Sequence, residues 1–221
     1  MIRRDDRLAR CHAVSGLLIA LYAALHLLNH AASMGGPAAF STFRALLRHL
    51  YQSPVYEVGC LLLPLLFNCV TGLWMLARSS RANATPDATG HPGLRRRLHR
   101  WSGIVLAALV VPHALSTRGA ALLWNIDPDF HFVARTLSGP RGAAFWLIYA
   151  LLAAAASYHL SNGLFTFLDD VGALRGRVTR NVAAAAFIFV GATLMTCGFL
   201  GLLSYGGVIY QAPTVETLPP D

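Results

Sequence analysis

Five stretches of this chain are apolar for about twenty residues each, the length needed to cross a bilayer core roughly 30 Å thick. In lipid, every backbone N–H and C=O must be satisfied within its own segment or in a closed barrel. Runs of this length and composition therefore read as helices. They lie near 13–33, 55–77, 101–122, 142–168 and 181–205. Arg118 interrupts the third, which places the end of its apolar part near Ser116. The pattern predicts an all-α membrane protein, with five transmembrane helices in an up-down bundle and a single membrane domain over 1–221. Composition agrees: 13% of residues are charged, against roughly a quarter in soluble domains.

All 18 basic residues other than histidine are arginines, and their placement predicts orientation. Arg3, Arg4, Arg7 and Arg10 precede the first span, six more lie in the loop 78–100, and Arg175, Arg177 and Arg180 follow the fourth span. The other side holds only Arg44, Arg48, Arg118, Arg135 and Arg141. The positive-inside bias then places the N-terminus and the 78–100 loop in the cytoplasm, with the C-terminus external. A chain of this kind belongs in the cytoplasmic (inner) membrane as a multi-pass protein. Because the net charge of +8 sits in short loops between spans, nucleic acid is not an expected partner.

Between the first two spans, "FSTFRALLRHLY" sets Phe40, Phe43, Leu46, Leu47 and Leu50 at helical spacing, with Arg44 and Arg48 opposite. That predicts an interfacial helix over about 38–51. The N-terminal stretch shows no cleavage site, so the first span reads as retained. Cys11, Cys60, Cys69 and Cys197 form no CxxC pair, which argues against a disulfide framework or a zinc site. No internal repeat is apparent.

Polar side chains inside spans are costly and usually functional. Here they are His26 and His30 in the first span, Asn68 in the second, His113 in the third and His159 in the fourth, with Glu57 entering the second near its outer end. At 1.5 Å per residue, His26 and His113 both lie about 18 to 20 Å from the cytoplasmic face. Asn68 and His159 lie about 20 to 26 Å below the outer face. The histidines therefore fall into two layers, His26/His113 outside and His159/Asn68 inside. Two imidazoles at one depth on facing helices are what a low-spin haem needs. Gly72 and Gly163 stand four residues after Asn68 and His159, leaving room beside them. No CxxCH is present for covalent attachment.

Three segments, "SGLLIALYAALH", "RWSGIVLAALVVPH" and "YHLSNGLFTFLDDVG", resemble the membrane cytochrome b subunit of succinate dehydrogenases and fumarate reductases, in the form with one five-helix anchor chain. Gly16 and Gly103 each stand ten residues before a histidine, and Gly163–Leu164 follow His159, as in that family. The resemblance implies a haem-b anchor and quinone-reactive subunit, not catalytic toward succinate on its own. It would pass electrons between flavoprotein and iron–sulfur subunits on the cytoplasmic face and a membrane quinone. It also implies His26, His113 and His159 as axial ligands of haem iron. Asn68 stands where the family has histidine, which leaves one haem b expected and a second in question. Glu57 and His30 are candidates for quinone or proton handling. His99 at the foot of the third span is expected against lipid headgroups or a partner subunit. The competing reading is a haem-free or haem-poor docking anchor for redox partners.

Overall fold

The computed structural model describes residues 4–51, 54–79 and 92–210. Helix α1 (Arg4–Ala32) leads through a short 3-10 turn into α2 (Gly36–Tyr51). Helix α3 is assembled from Pro54–Tyr56, a π-helical stretch Glu57–Leu62 and Leu63–Ser79. Helix α4 runs through Pro92–Ala114, a π-helical stretch Leu115–Gly119 and Ala120–Trp124. The remaining helices are α5 (Phe130–Ser138), α6 (Gly142–Asp170) and α7 (Arg177–Tyr205). Five of these segments are long and apolar enough to cross a membrane. The all-α, five-span architecture is as expected.

Boundaries differ where polar residues extend a helix beyond its apolar core. Residues 92–100, expected in a loop, are helical: Pro92 begins the helix, and arginine and leucine are good helix formers. Helix α4 also continues past Arg118, because Glu57 on α3 pairs with that charge. Pro64 lies two residues past the first π stretch, and its missing N–H leaves the Cys60 carbonyl inside that stretch without its α-helical donor. Helix α5 was not expected. Its signal was the Asp129 carboxylate, which caps it by accepting from Phe132 N–H at 2.7 Å.

Helices α1, α3, α4 and α6 pack in a ring, thinnest at the α3–α4 seam, and α7 lies in the groove between α6 and α1. That groove admits α7 because its facing residues are small. A Cβ on Gly191 would meet Ser161 Oγ at 2.6 Å, one on Gly198 would meet Ala153 Cβ at 2.8 Å, and one on Gly201 would meet the His30 carbonyl oxygen at 2.8 Å. Close backbone approach of this kind drives helix association where lipid is as apolar as the side chains. Outward-facing Leu18, Leu21, Val70, Ile188 and Phe189 are exposed to that lipid.

The end remote from the N-terminus is capped by a cluster of Phe40, Phe130, Leu137, Leu202 and Tyr205, contributed by α2, α5 and α7. The chain turns from α1 into this cap at Gly36, whose φ of +81° suits glycine. Arg44 ties α2 to the segment before α5, donating to both carboxylate oxygens of Asp127 at 2.9 and 2.6 Å and to the Pro128 carbonyl. The amphipathic α2 covers the span expected for a short helix between the first two membrane segments and is docked onto the bundle through Phe40.

Candidate functional site

Histidines enter the four-helix ring at two depths. In the layer nearer the cap, His26 and His30 stand one turn apart on α1 and meet His113 of α4. The His26 and His113 rings have centroids 6.0 Å apart, and Tyr149 of α6 packs edge-on to His113 at 5.7 Å. His30 shares a hydrogen bond with His26 between their Nε2 atoms at 3.1 Å. Its Nδ1 bonds the Tyr205 hydroxyl on α7 at 2.9 Å. This chain, from α7 through His30 to His26, ties the first-span imidazole to α7 through its Nε2. His113 Nδ1 is buried without a hydrogen-bond partner among the described residues. The partners of His30 are thus a tyrosine of another helix and the histidine one turn before it.

Glu57 and Arg118 form a bidentate ion pair above this layer. Arg118 Nε donates to one carboxylate oxygen and its terminal nitrogen to the other at 2.6 Å. The pair joins the two π-helical stretches across the α3–α4 seam. π-helical turns of this kind are frequent at functional sites.

The layer nearer the arginine-rich end contains more than His159 and Asn68. His99 is stacked on His159 with ring centroids 4.1 Å apart and planes 6° from parallel. Its expected place among headgroups or against a partner is therefore taken by a contact inside the bundle. His12 joins from α1, with Nδ1 2.8 Å from Thr71 Oγ1. Because Thr71 donates its hydroxyl hydrogen to Phe67 O at 2.6 Å, the imidazole is the donor here. His159 Nδ1 likewise faces Ser102 Oγ at 3.1 Å and the His99 carbonyl at 3.2 Å. Ser102 spends its own hydrogen on that same carbonyl, so His159 donates through Nδ1 and keeps Nε2 bare. Asn68 donates to Ser15 Oγ and, at 3.3 Å, to the His12 carbonyl.

A short pattern underlies this layer. His12–Gly16, Asn68–Gly72, His99–Gly103 and His159–Gly163 all have the form His or Asn, three residues, then glycine. In the structure each first side chain sits over the glycine of its neighbour. A Cβ on Gly16 would meet Asn68 Oδ1 at 3.4 Å, and one on Gly72 would meet His12 Cε1 at 3.2 Å. The other seam repeats the exchange, with Gly103 against His159 Cε1 at 3.0 Å and Gly163 against His99 Cε1 at 3.7 Å. The two seams, α1–α3 and α4–α6, are thus closed by the same reciprocal contact. The sequence alone hid it, because only the neighbouring helix gives each glycine its role.

These features define a multi-pass helical membrane protein whose bundle buries two layers of histidine. Residues 90–199, about half of the chain, match the family described as succinate dehydrogenase/fumarate reductase transmembrane subunit, and the chain belongs to that family. The matched region contains His99, His113 and His159, while His26 and Asn68 precede it. No curated protein and no solved structure matches the chain.

The two layers differ in their fit to the haem b that the resemblance implies. Two metal–nitrogen bonds of about 2 Å, each extended by a ring radius of about 1 Å, set ligand ring centroids roughly 6 Å apart. The separation of His26 and His113 matches this, and the orphaned His113 Nδ1 marks an imidazole whose partners inside the protein are incomplete. The other layer does not fit a six-coordinate haem. Asn68 is turned into the α1–α3 seam and is spent on Ser15 and His12, while His159 is turned into the α4–α6 seam with His99 flat against it. Parallel stacked rings cannot both present a nitrogen to one iron between them.

Proposed function

We propose that this subunit is a haem-b membrane anchor and quinone-reactive subunit, carrying electrons between a flavoprotein/iron–sulfur pair and a membrane quinone. The supporting observation is the His26–His113 pair, two buried imidazoles from different spans at the separation that an axial ligand pair requires. His26 and His113 hold the haem, which when bound supplies one-electron transfer within the bilayer. His30 and Tyr205 fix the orientation of His26. Glu57, held by Arg118 at the same end, is the candidate group to take up or release the protons of quinone chemistry, and His30, bonded to His26 and Tyr205, is the second candidate. No electron step is assigned to the layer of His159 and Asn68; His159, with Nε2 bare, is the residue of that layer equipped to ligate.

The arginine distribution supports an orientation with the N-terminus and the 78–100 loop in the cytoplasm and the C-terminus outside. The flavoprotein and iron–sulfur subunits then dock on that arginine-rich end of an inner-membrane protein. A second reading, a haem-free docking anchor, draws on one observation: His26 Nε2 already has a partner in His30. Substituting His26 or His113 by alanine tests the choice. The proposed function requires loss of a low-spin haem spectrum with the polypeptide still in the membrane. An unchanged spectrum in both variants rules these ligands out.

A further inference from the structure

At the arginine-rich end, the thin α3–α4 seam opens into a cleft of about 340 Å³ lined by Leu76, Arg97, Arg100, Trp101 and Ile104. The face of α4 that lines it is distinct from the face that serves the histidine layer. Arg95, His99, Ser102 and Gly103 turn toward α6: Arg95 donates to Thr166 Oγ1 at 3.0 Å and lies over the Phe165 ring at 4.2 Å. Arg97, Arg100, Trp101 and Ile104 follow at spacings of three, four and seven residues, on the other side of the helix. Neither Arg97 nor Arg100 has an ion pair or hydrogen bond among the described residues. No acidic residue occurs in 63–79 or 92–104. Across the seam, the Arg78 guanidinium lies 3.8 Å over the Trp74 ring. Trp101 is 64% exposed, at the point where the apolar run of its span begins.

We propose that this cleft binds an anionic phospholipid, its phosphate held by Arg97 and Arg100 and the start of one acyl chain lying on Leu76, Trp101 and Ile104. The chemistry requires both parts. Guanidinium groups carry a fork of donors matched to phosphate oxygens, and here two of them lack an anionic partner among the described residues. The walls below them are apolar, which a free phosphate would not use but a lipid chain would. Tryptophan at this depth is the usual interfacial residue. The cleft is too small for a second protein element, and Trp101 on its wall is open to the surroundings.

The test is native mass spectrometry of the full chain released from nanodiscs that contain phosphatidylglycerol and phosphatidylcholine with matched chains. The wild type should retain phosphatidylglycerol in preference to phosphatidylcholine, and excess inorganic phosphate should not displace it. One arginine near an anionic lipid is worth about fivefold, so Arg97→Gln/Arg100→Gln should lose retention by roughly thirtyfold. Arg175→Gln, at the same end but outside the cleft, should retain lipid as the wild type does. Circular dichroism checks that the double variant is folded; if it is not, Arg100→Gln alone replaces it, with about a fivefold loss expected. Equal retention of the two lipids, or unchanged retention in the cleft variants, overturns the proposal. Equal loss in Arg175→Gln reduces the effect to general surface charge and also overturns it. Displacement by inorganic phosphate would make this a phosphate site with no lipid specificity, and would overturn it as well.

Discussion

Replacing Gly201 by alanine adds one methyl group at the place where α7 lies closest to the histidine layer. The new Cβ would fall 2.8 Å from the His30 carbonyl oxygen, 3.0 Å from its carbonyl carbon and 2.8 Å from its Cβ. The first two are backbone atoms in mid-helix, so no rotamer change relieves the contact, and α7 must move away from α1. Overpacking of this kind costs about 1–3 kcal/mol. The displacement also strains the 2.9 Å bond between Tyr205 and His30, and interhelical hydrogen bonds in membranes average about 0.6 kcal/mol. Together these give a loss of roughly 1.5–3.5 kcal/mol. Gly59 is the control, since a Cβ there meets nothing within 4 Å. The assay is thermal unfolding in detergent, followed by intrinsic fluorescence so that no cofactor signal is needed. Gly201→Ala should unfold well below the wild type, with Gly59→Ala close to it. Equal stability of Gly201→Ala and wild type would refute the view that α7 braces the histidine layer through this contact.

In the other layer, Gly103→Ala should destabilise by pressing on His159, and His159→Ala in the same chain should restore part of the loss. A double-mutant cycle by the same assay with no coupling would contradict the ring-over-glycine packing. Asp127 outside the spans predicts a pH dependence. The Arg44 hydrogen bond, reinforced by the charges of Arg44 and Arg48 and opposed by partial burial, holds its carboxyl below the ordinary range. The stability it confers is present above the unfolded value of about 3.9 and lost as pH falls through the lower folded value. Asp127→Asn should remove that part of the acid dependence, so superimposable stability–pH curves below pH 5 would count against it. For topology, cysteines introduced at Thr89 and Thr217, which lie outside the described residues, should be labelled from opposite sides of the membrane; labelling of both from one side would contradict the arginine-based orientation.

The spans were legible because lipid leaves a chain few ways to satisfy its backbone, and twenty apolar residues in a row advertise one of them. Helix α5 was missed because it is only nine residues long, too short to stand out between two spans despite its amphipathic pattern. Depth along the helices correctly brought His26 to His113, since rise per residue is all that pairing by layer requires. It could not show the direction in which a side chain turns. Asn68 and His159 share a depth yet face different seams; His12 was overlooked and His99 was placed among headgroups or against a partner, because both sit at the polar feet of their helices, where histidine is ordinary. Arg118 looked like the end of a span for a similar reason. Its neutralising partner, Glu57, lies 61 residues away in sequence and is adjacent only once the bundle forms.

The most direct test of the central claim is a dithionite-reduced minus oxidised spectrum of the purified wild-type chain, with haem quantified per polypeptide. The account predicts one low-spin haem b per chain, lost on substitution of His26 or His113 and retained in His159→Ala. Two bis-histidine haems per chain would contradict the assignment of the Asn68 layer as closed packing, and no haem at all would contradict the proposed electron-carrying role.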